Sequence, residues 1–342
     1  MGDEASFEGY RRALPQWSFA DAPSARALRL VARVNRASVS GGALGGGTLI
    51  GWPHFRHAFT QLFEDGVSRR GLMLGTGVEE PAFHGRNGYL TTALEREHGR
   101  RGAAALRCEL EAWTQVLARL PSVAVRGPRS VEVLREVGIE AQAVGDPALL
   151  VGDEAATGDV EDRVAGLNVG RSNGLWGDDE SAVVEAAVGV ARTLLGRGWK
   201  VVLVPLSPAD PPMLARIASA LDGRARVFAA YRQLDDLLDV LRRCHVFVGE
   251  KLHSVVLATA VNVPTLALEY HPKCRDFQLS VGRADYIVRT DRLDPDAIMD
   301  RLDDLAERRD THAAEIVRAT AVLRQSLRAA AAGADAALTG AC

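Results

Sequence analysis

The residues best suited to chemistry lie in the stretch Cys-His-Val-Phe-Val-Gly-Glu-Lys-Leu-His-Ser at positions 244–254. Its apolar first half predicts a buried strand, Gly249 and Glu250 a turn, and the residues that follow a helix to about residue 261. Lys251 and His253 then stand at a helix N-terminus, where backbone N–H groups, the helix dipole and an ammonium all favour an anion. A second apolar run at 264–268 leads to Glu269-Tyr270-His271-Pro272-Lys273, which brings Lys273 to the same rim. Of the 41 basic residues only Lys200, Lys251 and Lys273 are lysine, so two of three fall in this segment. Chance placement is the plain alternative, but a lysine is a compact point charge that meets phosphate differently from arginine. His253 is the candidate proton carrier, because histidine titrates near neutrality and this one has charged neighbours. A lone histidine is usually structural, and that reading is kept for His54, His57, His84, His98 and His312.

Other segments carry weaker signals. Gly45-Gly46-Gly47 between apolar stretches suggests a strand-to-loop turn close to a ligand, as does Gly75-Thr76-Gly77. Neither is a P-loop, since no Gly-Lys-Ser/Thr follows, and tight turns at strand ends explain both as well. Arg126 ends the strand at 123–125 just before a helix opened by Ser130, a place where α/β sheets gather ligands and where a guanidinium suits a carboxylate or phosphate. A surface arginine is the alternative. Asn168, Arg171 and Tyr270 are further candidates for acceptor or loop contacts. Asp146 and Glu250 are alternative acids, although the first reads as a hinge residue ahead of Pro147 and the second as a salt-bridge partner.

The elements that position these residues read most clearly in the second half. Short β-branched runs at 164–169, 201–205, 225–228, 246–248, 264–268 and 286–288 alternate with helices at 181–195 and 234–243, whose apolar residues fall at i, i+3, i+4 and i+7. Such alternation implies a parallel sheet covered by helices on both faces. The first half has the same grammar, with strands at 28–34, 72–74, 123–125 and 141–144 and helices at 56–63 and 109–120. The expected architecture is α/β, two Rossmann-like domains facing across a cleft. The expected division is an N-terminal domain over 1–155 on the acceptor side, a C-terminal donor-side domain over 156–295, and helices over 296–342 that pack across both.

Composition excludes several classes. A chain of 342 residues, 47% hydrophobic and 25% charged, is ordinary globular protein with room for two cores. Its net charge of −3 and interleaved signs give no nucleic-acid footprint. Cys108, Cys244, Cys274 and Cys342 form no CxxC pair, against a zinc site or a disulfide framework and in keeping with a reducing cytosol. No apolar run reaches the length of a membrane span, and the N-terminus lacks a signal-peptide pattern. The expected location is the cytoplasm, or a peripheral seat at the inner membrane face.

Taken in order, Gly45-Gly46-Gly47, Val125-Arg126 with Ser130, Leu134 and Gly138, Asp146-Pro147-Ala148, Lys251-Leu252-His253 and Tyr270-His271-Pro272-Lys273 resemble the signatures of the polysaccharide pyruvyl transferase family. The resemblance runs from the N-terminus to about residue 285. It implies a fold like that of GT-B glycosyltransferases and transfer of pyruvate from phosphoenolpyruvate to two hydroxyls of a saccharide as a ketal, in cell-surface or exopolysaccharide biosynthesis. It further implies that His253 is catalytic and that Arg126, Lys251, Leu252 and Lys273 bind phosphoenolpyruvate, which serves as substrate with no cofactor and no metal. The acceptor would be a saccharide or lipid-linked saccharide. The family commonly has arginine where Lys251 stands. Gly2-Asp3-Glu4-Ala5 is similar to a stretch that in the family follows the first strand, so this sequence is expected to begin after that strand. The alternatives are a nucleotide-sugar glycosyltransferase of the same architecture and a non-catalytic saccharide-binding protein.

Overall fold

A computed structural model describes residues 2–19, 41–64, 71–83, 85–86, 88–152, 160, 163–172 and 174–339. By its contacts the chain divides into two compact units. One, the C-unit, joins Met1–Ala5 to Ala148–Val322; the other, the N-unit, joins Ser6–Pro147 to Leu323–Cys342. The division falls after Pro147, ahead of the Gly- and Asp-rich stretch near residue 155, because Ala148, Leu149 and Leu150 are buried. Helix α1 (Gly2–Ala13) supplies residues to both units, and so does helix α12 (Arg309–Thr339).

The N-unit holds short parallel pairs. Strand β1 (Gly42–Gly45) pairs with β3 (Gly71–Leu74), and β2 (Thr48–Ile50) with β4 (Gly77–Val78). A Thr76–Val125 bridge then leads to β5 (Ala124–Val125), which pairs with β6 (Gln142–Ala143). The helices are α2 (Pro53–Glu64), α3 (Gly88–His98), α4 (Ala103–Leu117) and α5 (Pro128–Glu136). Their apolar faces surround the fully buried Trp113. The expected strand at 28–34 lies outside the described residues. The expected helix at 109–120 starts six residues earlier, because Glu109 is a buried mid-helix residue rather than an acidic first turn. Its carboxylate accepts from Arg56 Nε at 2.8 Å and meets His98 Nε2 at 2.8 Å, while Arg56 and His57 both reach Glu97. His57 and His98 thus lie in one ion-pair cluster of the N-unit.

The C-unit is built on one sheet, with strands β7 (Val164–Asn168), β8 (Lys200–Leu203), β9 (Arg226–Val227), β10 (Val246–Gly249), β11 (Thr265–Glu269) and β12 (Ile287–Arg289). Every pairing is parallel, and the order is β12-β11-β10-β7-β8-β9. Every residue of β7, β10 and β11 is buried, as unbroken apolar runs in a sheet covered on both faces require. Helix α6 (Glu180–Gly196) is capped by Asp179, which accepts from the Ser181 and Ala182 amides. Helices α7 (Pro211–Ala220), α8 (Leu234–Arg242), α9 (Leu252–Ala260), α10 (Pro272–Ser280) and α11 (Pro295–Glu307) complete the layers. In α8 the buried residues are Leu237, Leu238 and Leu241, each contributing about 1.5–3 kcal/mol on full burial. His312 of α12 bonds Arg283 and Asp304, tying that helix to the segment before β12 and to α11.

Candidate active site

Strand order reverses between β7 and β10, since the chain builds outward from β7 through β8 and β9 and then returns to add β10, β11 and β12. Such a reversal leaves the loops at the carboxyl ends of the two strands diverging, which is where open α/β sheets take ligands. The candidate residues lie there. The loop after β7 carries Gly170, Arg171 and Ser172; the turn after β10 carries Glu250, Lys251 and the start of α9; the turn after β11 carries Tyr270, His271 and Lys273 of α10.

The turn after β10 grips the loop after β7 from two sides. Glu250, 1% exposed, accepts the Gly170 amide at 2.8 Å and the Ser172 hydroxyl at 2.9 Å. Burial pushes its carboxyl above the ordinary range, against the lowering pull of Lys251 and these hydrogen bonds. The Lys251 ammonium donates to the Arg171 carbonyl and, at 3.3 Å, to the Ser172 hydroxyl. Gly170 is required for this closeness: a Cβ there would overlap the Asp210 carboxylate and stand 2.7 Å from Lys251 Cε. Asp210 is itself buried and held by the Leu206 and Ser207 amides, each at 2.9 Å. Its place in this loop cluster was not foreseen, and neither was that of Ser172.

The turn after β11 adds the second lysine. The ammonium of Lys273 stands 4.9 Å from the centroid of Tyr270 and that of Lys251 5.6 Å from it. His271 caps α10, its Nδ1 accepting the Lys273 amide at 3.2 Å. Beneath them the Cys274 thiol is pushed up to about 12 by burial, which keeps it unreactive. His253, in the first turn of α9, is half-buried, and Gly2 of α1 lies against its ring: a Cβ on Gly2 would overlap Nδ1. The Gly2-Asp3-Glu4-Ala5 stretch thus contributes to the histidine's surroundings, a role that only contacts across the sequence reveal. Lys251, His253, Tyr270 and Lys273 are therefore all set on the carboxyl ends of β10 and β11, beside the loop carrying Arg171.

Several of the expected contact residues have partners within the protein. Arg126 is 0% exposed, and each of its three guanidinium nitrogens has a protein partner: Asp146 Oδ2 at 2.9 Å, Thr48 Oγ1 at 3.4 Å and the Gly47 carbonyl. All three partners lie in the N-unit. Gly45 packs on the Tyr10 hydroxyl, which lies 2.8 Å from the Leu44 carbonyl and 2.9 Å from the Leu74 carbonyl. Gly46 and Gly47 take φ of +68° and +52°, a left-handed turn that few side chains adopt. Asn168 is buried and links β8 to the turn after β10, donating to the Val204 carbonyl at 2.8 Å and accepting the Lys251 amide at 3.1 Å. The Leu252 side chain belongs to the core.

Several solved structures share the fold of this chain. It matches MnaA of S. aureus, solved with UDP, at 11% identity and a TM-score of 0.58, over 93% of this chain and 88% of that one. The UDP-GlcNAc 2-epimerase from Methanocaldococcus jannaschii matches at 10% identity and a TM-score of 0.53, over 89% of each chain. A UDP-glucosyltransferase from Polygonum tinctorium matches at 14% identity and 0.51, over 91% of this chain and 80% of that one. At these identities the likeness defines the fold, which is that of the GT-B class of glycosyltransferases and epimerases. The sequence profile of the polysaccharide pyruvyl transferases matches residues 30–272, so the chain belongs to that family and is a transferase. No curated protein matches it in sequence. Among the described residues no helix is long and apolar enough to cross a membrane.

Proposed function

We propose that this enzyme transfers the pyruvate of phosphoenolpyruvate to two hydroxyls of a saccharide, forming a ketal and releasing phosphate. The observation that carries the reading is the assembly of Lys251, His253 and Lys273 on two adjacent strand–helix turns, in a chain whose family match covers Lys251 and His253 and ends at residue 272, next to Lys273. Both turns end in helix N-termini, so backbone and side chains together favour the phosphate and carboxylate of the donor. In the reaction the methylene carbon gains a proton while one hydroxyl oxygen adds to the central carbon and loses its own. The bond from that carbon to the phosphate oxygen then breaks, with its electron pair leaving on phosphate. The second hydroxyl adds to the resulting oxocarbenium carbon and is deprotonated. A group that both gives and takes protons near neutrality is needed, and we assign this to His253.

Arg126 fixes the Gly45–Gly47 turn of the N-unit. Incubation with phosphoenolpyruvate and saccharide acceptors should release phosphate and yield a product with a ketal methyl signal by NMR. Nucleotide release from nucleotide sugars, with phosphoenolpyruvate left intact, would overturn the assignment.

A further inference from the structure

In a chain that writes 38 of its 41 basic residues as arginine, two of three lysines meet at one aromatic ring. Lys251 and Lys273 come from different strand–helix turns, and their ammonium groups lie 5.6 Å and 4.9 Å from the centroid of Tyr270. An ammonium within about 6 Å of a ring is attracted by the ring's quadrupole. Two ammonium groups near one point repel each other, and two helix N-termini add positive potential to both. A neutral ring that attracts both offsets part of that repulsion and holds the two ammonium groups beside one another.

Tyr270 is built to stay in place. It is 7% exposed, it directly follows β11, and its carbonyl accepts the Trp176 amide at 3.0 Å. Lys251 is steadied further by the Arg171 carbonyl and by Ser172, whose hydroxyl donates to Glu250. A lysine head on a four-carbon stem lacks the planar fork that orients an arginine, so its direction must come from such neighbours.

We propose that Tyr270 is a positioning residue that holds Lys251 and Lys273 beside one ring as a pair of charges for an anion. The identity of that anion as phosphoenolpyruvate rests on the function proposed above. With only three lysines, protein labelled with [13Cε]lysine gives three resolvable signals, assignable by single Lys→Arg substitutions. The Lys251 and Lys273 methylene protons should be shifted upfield from Lys200 by the ring current, and phosphoenolpyruvate or inorganic phosphate should move both while Lys200 stays. Tyr270→Phe should keep these shifts and a near-normal KM for phosphoenolpyruvate. Tyr270→Leu should abolish them and raise that KM about five- to thirtyfold with little change in kcat.

Unshifted signals in the unsubstituted enzyme would overturn the proposal even if the leucine variant failed to fold. So would a phenylalanine variant as impaired as the leucine one, or the failure of every anion to move either signal. Phosphate moving both signals without turnover of phosphoenolpyruvate would remove the donor assignment and leave the lysine pair standing. Turnover with an unchanged KM in Tyr270→Leu would do the reverse.

Discussion

Arg126→Met separates two roles that a strand-end arginine can have. The guanidinium and the Asp146 carboxylate, 2.9 Å apart, are both 0% exposed, so the substitution leaves a carboxylate in the interior without its counter-charge. Removing one partner of a buried pair typically costs about 3–5 kcal/mol, most of it the penalty of the stranded ion. Lost hydrogen bonds to the Gly47 carbonyl and the Thr48 hydroxyl act in the same direction. A domain's stability is roughly 5–15 kcal/mol, so the loss is a large share of it. Urea unfolding followed by circular dichroism and tryptophan fluorescence should show the cost. Because a chain of two units need not unfold in one step, the shift should fall on the transition of the N-unit, which holds Trp17, Trp52 and Trp113. Adding Asp146→Leu, which removes the stranded charge, should restore part of the loss. A variant within about 1 kcal/mol of the parent in stability but with phosphoenolpyruvate affinity lowered more than tenfold would refute this, and Arg126 would be a donor contact after all.

His253→Gln should keep the fold and donor affinity while kcat drops about 100-fold or more, the scale of lost general acid–base catalysis; near-normal turnover would assign the protons elsewhere. Gly45→Ala should destabilise the N-unit by about 1–3 kcal/mol, because the new methyl meets the Tyr10 hydroxyl; recovery on adding Tyr10→Leu, read by thermal melting, checks the cause. Glu250 titrates above its ordinary value of 4.5 when folded. Between those two values the folded state holds the extra proton, so unfolding free energy falls as pH rises through the window and stays lowered above it. Glu250→Gln should lose that fall and gain on the parent as pH rises; parallel stability–pH curves would show that burial does not disfavour the carboxylate.

Much of the C-unit was legible because its elements are set by local pattern. Unbroken runs such as Val246–Gly249, and helices with leucines at 234, 237, 238 and 241, can bury themselves in only one way. The lysine–histidine turns were legible for the same reason, since a strand followed by a helix fixes where the connecting residues stand. What the sequence hid are pairings between distant residues. Arg126 looks available at a strand end until Asp146, 20 residues on, is brought to its guanidinium. Asn168 looks like a polar loop residue until Val204 and Lys251 close on it. Gly2 meets His253 only in the fold. A charge with its partner inside the protein and a charge waiting for a ligand read alike in one dimension.

Lys251 tests that distinction at the site itself, because the family commonly has arginine at its position. Simple charge reasoning says that Lys251→Arg restores a bidentate fork and improves donor binding. The surroundings argue otherwise. The lysine stem runs beside Gly170, where Cε leaves only 2.7 Å for a Cβ, and its head lies between the Arg171 carbonyl, the Ser172 hydroxyl and the Tyr270 ring. A longer, planar head cannot occupy that space without displacing the loop that Glu250 holds by the Gly170 amide and Ser172. Over-packing of this kind typically costs about 1–3 kcal/mol, so we expect Lys251→Arg to raise the KM for phosphoenolpyruvate roughly tenfold. Lys251→Met, which keeps the stem and removes the charge, should weaken donor binding by a similar or larger factor while leaving the loop in place. An arginine variant that matches or exceeds the parent in kcat/KM would show that the lysine's neighbours are incidental and that charge alone decides the contact.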